Sequence, residues 1–142
     1  KTIIITDSGE LGFWNGPLQL SDIFGTTLYR EVYNPVLGYI TYPVLPYMYN
    51  IKYNFLRSIF AKNNQKIIIA ELQAEPWLSD GKYFQRADLQ AKLFPLEKLK
   101  TYINYAQKTG IDEAYLWGVE WWYFMAANDH PEYLNFAKTL LK

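Results

Sequence analysis

The chain has 142 residues, enough for one domain with a hydrophobic core, and half of its residues are hydrophobic. Lys and Arg together number 14, as do Asp and Glu, and this balance argues against an electrostatic nucleic-acid binder. The sequence has no cysteine, which excludes disulfides, thiolate catalysis and thiolate metal sites but does not indicate a compartment. No apolar run approaches the roughly 20 residues needed to span a bilayer.

The first third of the chain predicts two buried strands. Residues 2–6 are a β-branched run of the kind found in parallel sheets, and residues 22–29 form a second run. Residues 17–20 between them are long enough for a brief helix, and residues 38–43 predict a small hairpin. Because the chain enters its first strand directly after Lys1, we interpret it as a piece of a larger protein without a signal peptide.

The middle of the chain shows helical periodicity over residues 47–63, where apolar side chains recur every three or four positions. Residues 66–70 predict the third strand. A long polar loop is expected over residues 72–95, and loops of that length in compact domains are often functional. Residues 96–109 predict a helix that ends at Gly110.

The last part of the chain predicts the fourth strand over residues 114–119, followed by an aromatic segment that leads away from it. A final helix is expected over residues 132–141, with His130 before its first turn. Strand and helix thus alternate four times, which implies an α/β fold with a parallel sheet. Both a flavodoxin-like open sheet and half of a TIM barrel fit this order, but residues 7–12 lack the glycine spacing of a dinucleotide site.

Glu71 is the most informative residue of the sequence. It follows the apolar run of residues 67–70 and opens the aromatic segment of residues 72–77. Burying an unpaired charge costs roughly several kcal/mol, so such a carboxylate is usually paired, protonated or functional. An ion pair with Arg30 is the structural alternative to a catalytic role.

Polar residues follow each predicted strand, as in the site of a TIM-barrel enzyme. Four blocks resemble the clan-A glycoside hydrolases, most closely the bacterial cellulase-like or β-glycosidase-like members: residues 6–10 (TDSGE), 25–30 (GTTLYR), 70–77 (AELQAEPW) and 115–122 (YLWGVEWW). The resemblance covers nearly the whole chain. It implies a single (βα)4 half-barrel domain over residues 1–142. The four predicted strands would correspond to strands five to eight of the complete barrel in such enzymes.

The resemblance also implies site residues. Members of that clan are retaining enzymes with two glutamates, and the nucleophile corresponds to Glu71, with Tyr29 supporting it. The acid/base glutamate belongs to strand four, outside this half. Since retaining chemistry needs two carboxyl groups about 5–5.5 Å apart, we expect weak or no glycosidase activity from the isolated chain.

Substrate contacts are expected from the other strand ends and the aromatic loops. Trp117 corresponds to the floor of the sugar site, with Trp121 as the competing assignment. The further predicted substrate-binding residues are Glu10, Trp14, Arg30, Trp77 and Glu120. Several alternatives stay open: the tryptophans, and Trp122 above all, can be packing residues, and Glu120 can form a structural pair. Glu75 can be a plain loop carboxylate. A hard cation held by Asp7, Glu10, Glu71 and Glu75 is a minor alternative; no metal or cofactor is predicted.

A half-barrel leaves its first and last strands unpaired, and exposed edges invite pairing. We therefore expect a homodimer or a complex with a complementary N-terminal half, with a carbohydrate ligand and with no nucleic-acid or membrane partner. Three functions remain in competition: a glycosidase half that is active only with its complement, a self-assembling structural fragment, and a carbohydrate-binding module.

Overall fold

The computed structural model describes residues 1–61, 65–79 and 86–140. Strands and helices alternate along the chain, as the sequence predicts. The elements are β1 (Ile4–Asp7), α1 (Asn15–Leu20), β2 (Ile23–Leu28), β3 (Glu31–Asn34), β4 (Gly38–Thr41), α2 (Pro46–Phe60), β5 (Lys66–Gln73), α3 (Ala87–Leu93), α4 (Leu96–Gln107), β6 (Ala114–Trp117), α5 (Val119–Ala127) and α6 (Glu132–Leu140).

Four of the strands form one parallel sheet in the order β1-β2-β5-β6. Ile4 pairs with Ile23 across the first ladder, and Phe24 pairs with Ile67 across the second. The two remaining strands, β3 and β4, form a separate antiparallel hairpin. The expected α/β class and parallel sheet are therefore confirmed. The hairpin expected within residues 38–43 instead spans residues 31–41, because β3 pairs with β4.

Two clusters of buried side chains hold the helices on the sheet. The first joins α1 and α2 to β2 and β5, and it includes Leu18, Phe24, Tyr53 and Ile69. The second joins α3 to α6, with Phe94, Leu99, Trp121, Trp122, Met125 and Tyr133 at its centre. Aromatic rings meet edge to face in this second cluster, as in the Trp121–Tyr133 pair with centroids 4.6 Å apart. In the described part of the chain, none of the helices combines the length and apolarity that crossing a bilayer would require.

The structure corrects two expectations for the third predicted strand and the segment after it. The third predicted strand continues as β5 through Gln73, because β2 keeps pairing with it beyond a register shift, with Thr27 opposite Glu71. Glu71 therefore lies near the carboxyl end of β5 but is not its final residue. The segment expected to be a loop, residues 72–95, contains α3, whose buried Ala87 and Gln90 face the second cluster; Gly81 of that segment lies outside the described residues.

The aromatic segment after the fourth strand is a helix, α5, rather than an irregular exit from the sheet. The chain turns at Gly118, whose φ of +142° lies in a region that residues with a Cβ rarely adopt. Trp121, Trp122 and Met125 then point inward from the helix and are buried. An almost wholly apolar sequence had hidden the helical period, since such a segment shows no polar face.

Candidate functional site

The carboxyl ends of the parallel strands carry the pair formed by Tyr29 and Glu71. The Tyr29 hydroxyl donates a hydrogen bond to Oε2 of Glu71 at 2.9 Å. Burial and the neighbouring Glu71 carboxylate raise the pKa of Tyr29 well above its ordinary value, so that the hydroxyl keeps its proton and remains a donor. The structure thus brings together the two residues that the resemblance assigns to nucleophile and support.

Arg30 does not pair with Glu71. Its guanidinium donates to the carbonyl oxygens of Tyr42, at 2.8 Å, and Val44, at 3.0 Å, and lies 4.1 Å from the ring centroid of Tyr105. Among the described residues no Arg30–Glu71 ion pair occurs, and the alternative of a structural pair is wrong. Arg30 instead bonds to the segment between β4 and α2 through one guanidinium nitrogen, and its contact with a sugar stays a prediction.

Glu10 is a hub of hydrogen bonds within the protein. One carboxylate oxygen accepts from the Tyr29 backbone N–H and the Tyr49 hydroxyl, both at 2.8 Å. The other accepts from the hydroxyls of Ser8 and Thr27, both at 3.3 Å. A carboxylate offers about four acceptor sites, so these bonds occupy Glu10 fully. It holds Tyr29 in place and, contrary to the prediction, has no free acceptor for a sugar.

Gln73 is a positioning residue that the sequence did not single out. Its amide oxygen accepts from the backbone N–H groups of Arg30, at 2.9 Å, and Glu31, at 3.0 Å. Its amide nitrogen donates to the Glu31 carbonyl at 2.8 Å. Since the side chain is fully buried, these three bonds fix the segment after β2 and with it Tyr29. The only signal in the sequence was a polar residue two positions after Glu71.

A cleft of about 560 Å³ lies next to the Tyr29–Glu71 pair. Tyr29 belongs to the pair and also lines the cleft, where its ring meets Trp77 edge to face with centroids 5.6 Å apart. Two indole rings of the cleft are open to solvent, with Trp77 45% and Trp117 52% exposed. The remaining lining residues are Gln73, Glu75, Pro76, Leu78, Gln90, Glu120, Trp121 and Phe124.

Two carboxylates face this cleft. Glu75 follows β5 and is half-buried, and Glu120 lies in the first turn of α5. Burial and the charge of Glu120 raise the pKa of Glu75, although a hydrogen bond with the Trp117 side chain opposes that rise. The structure therefore places Glu75, which the sequence left as a plain loop carboxylate, at the wall of the cleft.

The tryptophans divide into exposed and buried rings. Trp14 is fully buried against Phe24, with centroids 5.0 Å apart, and its indole N–H donates to the Ser8 carbonyl. The prediction of Trp14 as a sugar platform is wrong, because neither face of its ring is open. Trp121 touches the cleft but is only 6% exposed and donates to Gln90, so it serves mainly as packing. Trp122 is a packing residue, as expected.

No metal site is found in the described part of the chain, where no three His, Cys, Asp or Glu residues come together. Of the four carboxylates considered for a cation, Asp7 accepts from the backbone N–H groups of Ser8 and Trp14, and Glu10 is occupied as described above. Glu71 accepts from Tyr29 on one oxygen, and Glu75 lines the cleft. His130 lies just before α6, 3.2 Å from Glu132, in agreement with its predicted place at a helix start.

Comparison of the chain with protein-family models, with curated proteins and with solved structures finds no match. The proposals below are therefore supported by the residues and geometry of the chain alone.

Proposed function

We propose that the chain is the nucleophile-bearing half of a retaining glycoside hydrolase, equivalent to strands five to eight of a TIM barrel. The observation that carries the proposal is the 2.9 Å hydrogen bond from the Tyr29 hydroxyl to Glu71 at the carboxyl end of the sheet. Functional residues of barrels lie at that end. The strand order β1-β2-β5-β6 follows the chain without reversal, as in a barrel, whereas a flavodoxin-like sheet has a switch point in its order.

Glu71 has the properties that nucleophilic attack requires. One of its oxygens is held by Tyr29, and the other accepts no hydrogen bond from any described residue, which leaves it free to attack. Attack on the anomeric carbon forms a glycosyl ester with Glu71 and breaks the bond to the leaving group, which departs with the electron pair. An alcohol leaving group needs a proton from the second glutamate, which the resemblance assigns to a strand outside this half, so turnover of natural glycosides is weak or absent.

A substrate that needs no acid catalyst tests this directly. 2-Deoxy-2-fluoroglycosides with a dinitrophenolate leaving group, in gluco, galacto and manno configurations, should form a stable adduct on Glu71, detected by mass spectrometry of the intact chain and its peptides. Glu71→Gln should form none. Glu113→Gln is the matched control, because Glu113 is partly exposed and pairs with Lys66 at the start of β5, away from the site. Labelling of another residue, or none with any configuration, would contradict the proposal.

We further propose that the half-barrel associates with itself or with a complementary half. Both outer strands, β1 and β6, have a neighbour on only one side among the described residues. Large apolar side chains are exposed there, with Ile4 54% and Tyr115 56% exposed. Unpaired strands with exposed apolar side chains are the usual starting point for pairing between chains.

Carbohydrate binding without catalysis is the second candidate function, and the cleft favours it. Two solvent-facing indole rings beside carboxylates are a common arrangement for holding a sugar ring, since the ring packs on the indole while its hydroxyls meet the acceptors. This function would persist even where Glu71 has no catalytic partner.

A further inference from the structure

We propose that the cleft beside Glu71 binds an amino sugar, with the sugar ring packed on Trp117 and Trp77 and its ammonium group between Glu75 and Glu120. This inference rests on the proposed carbohydrate site and names the class of sugar. A hydroxyl-only sugar is the ordinary expectation for such a site. The charged residues around the cleft favour instead a sugar that carries a positively charged ammonium group.

The charged side chains that line the cleft are all acidic among the described residues. Glu75 and Glu120 both line it, and none of its described lining residues is Lys or Arg. Among the described residues, two cations close in sequence to lining residues have other partners: Arg30 binds two backbone carbonyls, and Arg86 pairs with Asp88. Glu75 is half-buried and Glu120 is exposed, and a ligand that brings positive charge relieves the repulsion between the two carboxylates.

The pKa of Glu75 is consistent with this repulsion. Burial raises it, and the charge of Glu120 adds to the rise, while a hydrogen bond with the Trp117 side chain opposes both. Glu75 in turn raises the pKa of Tyr29 across the cleft. An ammonium group between Glu75 and Glu120 would offset the desolvation and the repulsion together.

The walls of the cleft suit an organic cation better than a metal ion. A hard divalent cation takes six or more oxygen ligands, and no group of three ligating residues occurs in the part of the chain that the structure describes. The exposed rings of Trp77 and Trp117 instead offer faces that attract an organic cation and pack on the apolar face of a sugar. The cleft volume, about 560 Å³, lies within the usual range for small-ligand sites.

Calorimetric titration of the whole chain tests the inference. The ligands are a glucosamine trisaccharide, its fully N-acetylated form and a β-glucan trisaccharide, in a mildly acidic buffer that protonates the free amines. We expect the glucosamine trisaccharide to bind with a Kd at least about tenfold lower than either neutral ligand. The double variant Glu75→Gln/Glu120→Gln should remove that difference, because the amide oxygens still accept hydrogen bonds from hydroxyl groups but carry no charge to attract the ammonium group.

Glu113→Gln is the control for the loss of an acidic charge, and near-UV circular dichroism reports whether each variant keeps its packing. Equal Kd values for the amine and neutral sugars would overturn the preference for a cation and leave the carbohydrate site standing. Binding of spermidine as tight as that of the amino sugar would overturn the role of the sugar ring. Failure of every oligosaccharide to bind, together with labelling of Glu71 by the fluoroglycosides, would overturn the assignment of the cleft but not of the nucleophile.

Discussion

At the scale of single residues, the hydrogen bond between Tyr29 and Glu71 carries the proposed chemistry. Residues 42 positions apart meet through a hydroxyl that burial and a nearby carboxylate keep protonated. Hydrogen bonds to a charged group contribute about 1.5–3 kcal/mol. The orientation of Glu71 therefore depends on one phenolic oxygen.

Removing that oxygen should slow the attack by Glu71. We expect Tyr29→Phe to lower the rate of fluoroglycoside labelling roughly 10- to 100-fold, since about 1.4 kcal/mol corresponds to a factor of ten in rate. The rate is measured by intact-mass spectrometry over time. Tyr115→Phe is the matched control, because the Tyr115 hydroxyl bonds to Glu113 outside the site. An unchanged rate in Tyr29→Phe would show that the hydroxyl does not support Glu71.

Glu75 should make stability depend on pH. Its folded-state pKa is raised by burial and by Glu120, so the folded state holds the proton to a higher pH than the unfolded chain, whose Glu pKa is about 4.3. The free energy of unfolding should therefore fall as pH rises from that value through the raised pKa. Glu75→Gln should lack this fall and become more stable than the natural chain above it.

Urea unfolding at a series of pH values measures this dependence. The two chains should agree most closely in acid, where Glu75 is protonated in both states, and diverge as the pH rises. Glu120→Gln should give an intermediate slope, because it removes the repulsion but not the burial. If the free energy of unfolding changed with pH in the same way in the natural chain and in Glu75→Gln, Glu75 would not be the source of the dependence.

At the scale of elements, close packing between neighbouring strands depends on a glycine in β2. A Cβ at Gly25 would lie 2.8 Å from the Thr6 hydroxyl of β1 and 3.0 Å from the Ala70 methyl of β5. These three small residues lie side by side on one face of the sheet. A larger residue at the centre would push the strands apart.

Gly25→Val should lower the free energy of unfolding by about 1–3 kcal/mol, the usual cost of overpacking. Gly16→Ala is the matched control: Gly16 lies in α1 with no atom within 4 Å of its added Cβ, and alanine favours a helix by roughly 0.5–1 kcal/mol. Chemical denaturation of both variants provides the comparison. Equal stabilities would mean that the sheet adjusts to the added side chain.

The elements themselves could be anticipated from local pattern. Local pattern predicted all four parallel strands to within a few residues, and it also predicted α2, α4 and α6. Local pattern did not predict α5, because nearly all of its residues are apolar and no polar face marks a helix. It also placed the end of β5 too early, because pairing with β2 extends that strand. Helix α3 was missed within a segment that was predominantly polar.

At the scale of the whole molecule, the proposed association is motivated by β1 and β6, each of which has a neighbouring strand on only one side among the described residues. Static light scattering of the purified chain at micromolar concentration should give the mass of a dimer. Ile4→Lys, which places a charge on edge strand β1, should shift it towards the monomer, because edge charges oppose pairing. Ile51→Lys is the control, since Ile51 is equally apolar and 62% exposed but lies on helix α2. A natural chain that is well folded and monomeric would contradict the proposed self-association.

Local sequence was enough to identify the strands, the parallel sheet and the unusual position of Glu71, because backbone preference and apolar periodicity act over a few neighbouring residues. The long-range fold was needed to show that Trp14 is buried while Trp77 is open, that Glu10 is fully occupied and that Glu75 faces Glu120. The exposure and the hydrogen-bond partners of these residues depend on groups that are distant in the sequence. Glu10 and Tyr49, 39 positions apart, meet only when the sheet and α2 have packed together.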